Sequence, residues 1–159
     1  MTDFVMQALA VDRARADHLR GDYWRRYGTT LARLMAEHDV DPGPYLTTVH
    51  EIDLSALRPD PALAARIAAL PGRRIVFTNG SGAYAHRVQG ARGLSGTFDA
   101  VYGVEHAGFR PKPEQAAFEA VFALDGLAPD QGAMFEDDPR NLAPRMRWGC
   151  ARFLSGPRP

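Results

Sequence analysis

The chain has 159 residues, 45% hydrophobic and 24% charged, which suits one domain with an ordinary core, or one small domain with an appendage. Nineteen basic and nineteen acidic residues cancel, so neither a nucleic-acid partner nor an anionic membrane surface is expected. The single Cys150 cannot form an internal disulfide, no apolar run approaches the ~20 residues that span a bilayer, and the N-terminus has no basic segment ahead of an apolar one. The expectation is a soluble, cytoplasmic protein.

Residues 1–70 read as helical. Asp3 can cap a short helix carrying Val5, Met6 and Leu9, and Asp12 a longer one in which Leu19, Tyr23, Leu31, Leu34, Met35 and His38 follow a 3.6-residue rhythm. Gly28-Thr29-Thr30 interrupts that rhythm, with Thr30 as a new cap. Asp41-Pro42 and Asp60-Pro61 are two further cap-plus-proline starts, and Pro71-Gly72 closes the last helix. His18, His38 and His50 lack a metal-ligand spacing, and Tyr23, Trp24 and Tyr27 read as core.

From Arg73 the pattern alternates strand, loop and helix. Ile75-Val76-Phe77 is a strand ending in Thr78-Asn79-Gly80-Ser81-Gly82, followed by a helix with Tyr84 and Val88. Val101 to Val104 is a second strand, and Pro113 opens a helix with Ala117, Phe118, Val121 and Phe122. Met134-Phe135 is a third strand, Pro139 to Trp148 a helix, and Cys150 to Leu154 a last strand. Such alternation implies a parallel sheet with helices on both faces, and ligands of such sheets sit at the carboxyl ends of the strands.

Three features meet that description. Thr78-Asn79 ends one strand, Lys112 lies in the loop after another, and Glu136-Asp137-Asp138 ends a third. Lys112 is the only lysine in a chain that otherwise takes its positive charge from arginine, and a compact ammonium differs from a guanidinium in geometry and hydration. Three adjacent carboxylates repel unless a cation or solvent neutralises them. Carboxylates suit Mg²⁺, which shares its remaining positions with water and phosphate, while Lys and Thr suit phosphoryl oxygens. The plainer alternative is an acidic turn with Asp138 as N-cap and Pro139 at the first helical position, which leaves Glu136 and Asp137 idle.

A rival pattern is Gly80-Ser81-Gly82-Ala83-Tyr84-Ala85, which satisfies G-x-G-x-x-A between strand and helix, with Glu105 beyond the next strand. That is the form of a dinucleotide fingerprint of an oxidoreductase. It leaves Lys112 and the acidic cluster without work, and a polar Thr78-Asn79 separates the strand from the first glycine.

Phe77-Thr78-Asn79-Gly80, then Phe109-Arg110-Pro111-Lys112-Pro113 with Ala117-Phe118, then Phe135-Glu136-Asp137-Asp138 with Asn141-Leu142, resemble motifs two, three and four of the haloacid dehalogenase superfamily. The nearest group is the pyrimidine 5′-nucleotidase-like phosphatases, whose cap residues 22–31 also resemble. The resemblance implies an α/β, Rossmann-like core over residues 71–159 under a helical cap over residues 1–70. It implies Mg²⁺-dependent hydrolysis of a small-molecule phosphomonoester, a pyrimidine nucleoside 5′-monophosphate being the expected substrate. Thr78 and Asn79, with Gly80, would contact the phosphoryl group and Lys112 would neutralise it. Asp137 would bind Mg²⁺, Glu136 or Asp138 would assist, and Asn141 would support the loop.

The family's opening strand, ending in D-x-D-x-T, has no counterpart among these residues, and Asp3 and Asp12 do not follow apolar strands. The expectation is a family member started late, with little or no turnover. In the family fold that strand lies between those bearing the Thr78 and Asp137 motifs. Burying it contributes roughly 6–12 kcal/mol, comparable with a whole domain's ~5–15 kcal/mol. Either the flanking strands close up, or the sheet keeps exposed edges through which the chain can self-associate.

Overall fold

The computed structural model describes residues 1–142 and 149–155. Five helices come first: α1 (Thr2–Leu9), α2 (Arg13–Tyr27), α3 (Thr30–His38), α4 (Pro42–Val49) and α5 (Pro61–Ala68). The expected caps Asp12, Asp41 and Asp60 each accept a backbone N–H in the first turn of α2, α4 and α5. Two cap assignments are corrected. Met1 precedes α1 and Asp3 sits inside its first turn, where its carboxylate takes Arg13. Thr29, not Thr30, caps α3, accepting from Ala32 N at 3.1 Å, while the Thr30 hydroxyl is buried and donates to Arg20 O.

α1 to α4 pack into one apolar cluster around Val5, Ala16, Tyr23, Leu31, Leu34, Tyr45, Leu46 and Val49. Val104 from the following α/β part completes it, and Phe109 packs against it. Trp24 departs from the expected core role: it is 51% exposed, and the Arg140 guanidinium lies 4.1 Å from its ring centroid. α5 contributes no buried residue.

The α/β part holds β1 (Ile75–Phe77), α6 (Gly82–Ala91), β2 (Ala100–Tyr102), α7 (Gln115–Asp125), β3 (Ala133–Glu136) and β4 (Ala151–Leu154). β1 pairs parallel with β2, Val76 opposite Val101, and β3 parallel with β4, Phe135 opposite Phe153. The two ribbons are not hydrogen-bonded to each other. The sheet is interrupted between the Thr78 and Asp137 strands, and those strands do not close up. Residues in a strand direct their amides alternately to its two edges. Since Thr78 N bonds Tyr102 O and Ser155 N bonds Glu136 O, Ile75, Phe77, Ala133 and Phe135 direct theirs to the edges without a partner strand. Phe135 and Phe153 stack at 4.9 Å yet remain 55% and 50% exposed.

Three expected boundaries shift. β2 ends at Tyr102, and Val104–Ala107 is a 3-10 turn. Pro113 does not open a helix: it follows a cis peptide bond, and α7 begins at Gln115 after Glu114. Residues 139–142 are in 3-10 conformation, and the rest of the helix expected to Trp148 lies outside the described residues.

Candidate functional site

β1 delivers Thr78 to the rim because its backbone still belongs to the ladder: Thr78 N donates to Tyr102 O at 2.9 Å. The chain then turns sharply, with Gly80 N donating to Thr78 Oγ1 at 3.0 Å, which leaves the hydroxyl proton free to donate. Asn79 is engaged with the loop ahead of α7. Its Oδ1 accepts from Lys112 N at 2.6 Å and its Nδ2 donates to Lys112 O at 3.0 Å. One side-chain amide thus satisfies both backbone groups of Lys112 and fixes that residue against β1.

Lys112 is 6% exposed, and its Nζ donates to Phe77 O at 3.0 Å and to Glu136 Oε2 at 2.9 Å. Phe77 O points to the open edge of β1, and Glu136 ends β3, so the ammonium spans the break in the sheet. Glu136 is itself 9% exposed, and its other oxygen accepts from Asn141 Nδ2 at 2.8 Å. A buried charge costs several kcal/mol unless paired and hydrogen-bonded, and this pair is both. Asn79, Lys112, Glu136 and Asn141 are therefore joined in one hydrogen-bond network, and Thr78 stands beside it as the residue before Asn79.

The remaining two acids are placed differently. Asp138 accepts Arg140 N at 2.9 Å and the Arg140 guanidinium through both oxygens, which holds its carboxyl below the usual range. The capping role read for Asp138 is thus present. Asp137 is exposed. Among the described residues no group of three His, Cys, Asp or Glu side chains is placed to hold a metal ion. With Glu136 taken by Lys112 and Asn141, and Asp138 by Arg140, Asp137 is the open carboxylate of the three. One carboxylate with phosphate and waters is within the habit of Mg²⁺, so the donor set fits in that restricted form.

The helical layer reaches this rim at two points. Gly28, at φ +78°, approaches so closely that a Cβ there would lie 3.0 Å from Lys112 O, a backbone and spacing that favour glycine. His50, directly after α4, meets the loop after β1: its Nδ1 is 3.2 Å from Ser81 Oγ, and its ring stacks on Tyr84 at 4.4 Å. Sequence reasoning passed over His50, and nothing local could have found it, since its partner is thirty-one positions away. His50 and Asn79 both line a cavity of about 540 Å³ between helices and rim, with Arg20, Trp24 and Tyr45.

The dinucleotide pattern loses its binding groups. Gly82 N at the start of α6 donates to Glu105 Oε1 at 2.8 Å, so a carboxylate stands where a pyrophosphate would need an open helix N-terminus. His86 and His106 are exposed.

No protein-family model matches the sequence. No curated protein matches it. Solved structures do. One is the L-2-haloacid dehalogenase of Xanthobacter autotrophicus with chloropropionic acid covalently bound, at TM-score 0.55 and 21% identity, covering 93% of this chain and 58% of that one. Another is the Unknown transcript 4 protein of Saccharomyces cerevisiae, at TM-score 0.56 and 15% identity, covering 99% of this chain and 74% of that one. The chain thus spans somewhat more than half the length of the dehalogenase. No described helix is long and apolar enough to cross a membrane.

Proposed function

We propose, from the haloacid dehalogenase fold that this chain shares with those structures, that its rim is the phosphate and Mg²⁺ site of a phosphomonoester hydrolase. Pyrimidine nucleoside 5′-monophosphates are the proposed substrates. The observation that carries this reading is the buried Lys112, clamped by Asn79 and held between Phe77 O and Glu136 at the strand ends. An ammonium has three donors, and two are used, which leaves one for a phosphoryl oxygen. The Thr78 hydroxyl supplies a second. Both are fixed before a ligand arrives, so binding an anion there requires little rearrangement.

Asp137 would hold Mg²⁺, which when bound would neutralise phosphoryl charge. Glu136 positions Lys112, Asn141 positions Glu136, and Asn79 positions the Lys112 backbone. The 159 residues contain no D-x-D-x-T, and Glu136 is already committed to Lys112 and Asn141. Loss of a covalent nucleophile removes most of a rate enhancement. That favours a second reading for these residues alone, a site that binds phosphate and Mg²⁺ without turnover.

The test is phosphate release from p-nitrophenyl phosphate and uridine monophosphate, with vanadate binding measured alongside, on the chain and on Asp137→Asn. Mg²⁺-dependent vanadate binding that weakens in the variant, with little or no turnover, is expected. Turnover that disappears in Asp137→Asn would show that another carboxylate serves as nucleophile. Absence of vanadate binding with Mg²⁺ present would sink the reading.

A further inference from the structure

A second cavity, of about 470 Å³, lies between the helical layer and the α/β part, and none of Thr78, Asn79, Lys112 and Asp137 lines it. Four guanidiniums do. Arg25 and Arg26 come from the last turn of α2, Arg33 from α3 and Arg140 from the turn after β3, with Pro113 and Glu114 from the loop before α7. Arg25 and Arg26 have a plain reason to stand there, since cations at a helix C-terminus suit its dipole. That reason covers neither Arg33, in the N-terminal half of α3, nor Arg140, which the fold brings in from the far end of the chain.

The guanidiniums are held before any ligand arrives. Arg33 lies 4.3 Å and Arg26 5.4 Å from the Tyr27 ring centroid, and Arg140 lies 4.1 Å from that of Trp24. Their acidic partners are Asp22, 3.3 Å from Arg26 and 4.0 Å from Arg25, Glu37 on Arg33, and Asp138 on Nε and Nη2 of Arg140. None of those three acids lines the cavity. Among the described residues Glu114 is the one carboxylate that does, and it is exposed and makes no capping bond to α7. Four cations and one anion on its wall make the cavity attractive to anions. A guanidinium has five N–H donors, so a single carboxylate partner leaves donors for a ligand.

We propose that this cavity is a second anion site, which takes a small polyphosphate, an anion of two or more linked phosphoryl groups, on Arg25, Arg26, Arg33 and Arg140. Guanidiniums bind phosphoryl oxygens through paired hydrogen bonds, and four of them from three segments match linked phosphoryl groups better than one alone. The site does not depend on the phosphate site proposed at the rim, and its cationic donors need no metal ion.

The test is calorimetry of the whole chain with inorganic pyrophosphate, without Mg²⁺, on wild type, Arg33→Gln, Arg25→Gln, Glu114→Gln and Thr78→Val. Arg33, 26% exposed, should on replacement weaken pyrophosphate about tenfold, and Arg25, 63% exposed, about threefold. Glu114→Gln should tighten it about threefold, because the opposing charge is gone. Thr78→Val should leave it unchanged, and inorganic phosphate should bind roughly tenfold more weakly than pyrophosphate. Should Arg33→Gln fail to fold, Arg25→Gln and Glu114→Gln carry the test through their opposite signs. Binding that falls in Thr78→Val and not in the arginine variants would put pyrophosphate at the rim and overturn the proposal. No binding by the wild type, or an affinity that neither Arg25→Gln nor Glu114→Gln moves, would overturn it too. Citrate bound as tightly as pyrophosphate would overturn the assignment to polyphosphate.

Discussion

The helical layer and the β3–β4 ribbon bury their apolar residues to very different degrees. Val5, Ala16 and Leu34 are 0% exposed in the helical cluster, whereas Phe135, Phe153 and Leu154 on β3 and β4 are 50% exposed or more. The helices complete their own hydrogen bonds and need only one apolar face each to close a core. Strands need neighbours on both edges, and here two ribbons of two strands each stop short of one another. What joins the ribbons at the rim is polar: Lys112 reaches from Phe77 O to Glu136. The candidate site is therefore also the polar connection between the two ribbons.

The largest effect should come from breaking that connection. Lys112→Met leaves Glu136 buried without its cation, and an unpaired buried charge costs about 3–5 kcal/mol. Urea unfolding should show that loss, and adding Glu136→Gln should return part of it. A full-sized loss that the second substitution does not relieve would mean that Lys112 acts through packing alone.

Within the helical cluster, Leu34→Ala should cost about 2–5 kcal/mol, because a fully enclosed site cannot relax around the lost volume. The same denaturation experiment checks it, and a loss below about 1 kcal/mol would contradict a helical layer that closes on itself.

The sequence made the helical layer legible because its signals are local. Asp12, Asp41 and Asp60 each announce a helix within three residues, and the observed helices start there. The misreadings came from ambiguity at equally short range: Thr29 and Thr30 are both competent caps, and Pro113 has the form of a helix start but lies in a turn before α7. The rim was partly legible, since strand ends collect ligand-facing polar groups, and Thr78, Lys112 and Glu136 do meet there. Their division of labour was not. That Asn79 would hold Lys112, or that Glu136 would pair with it while Asp138 takes Arg140, depends on side-chain geometry across 33, 24 and 2 positions, which spacing alone does not encode.

A third, smaller effect concerns acid. Asp125 accepts from Arg73 and from Tyr102 OH, and these bonds, the Arg73 one foremost, hold its carboxyl below the usual range. A depressed pKa stabilises the fold above the unfolded value of about 3.9, and that contribution is lost as pH falls through the folded value. Thermal melts below pH 4 should therefore lose stability, and Asp125→Asn should flatten that part of the curve. An unchanged acid limb would mean that other carboxylates, Asp99 and Asp138 among them, carry it.

The smallest effect is expected on the open ribbon. Phe153→Ala removes a ring that is half exposed, and a surface change of this kind stays within about 0.5 kcal/mol. A loss comparable with that of Leu34→Ala would erase the contrast between the layers and show that the ribbon is covered in solution, for instance by a second copy of the chain.

The most direct test of the phosphate site is a crystal structure of the chain with Mg²⁺ and tungstate. The account predicts the oxyanion at the rim, in contact with Thr78 Oγ1 and Lys112 Nζ, and the cation on Asp137. The competing location is the cavity of about 470 Å³ between the helical layer and the α/β part, lined by Arg25, Arg26 and Arg33 with Glu114 and Arg140. Tungstate bound there, with the rim empty, would contradict the assignment of the site.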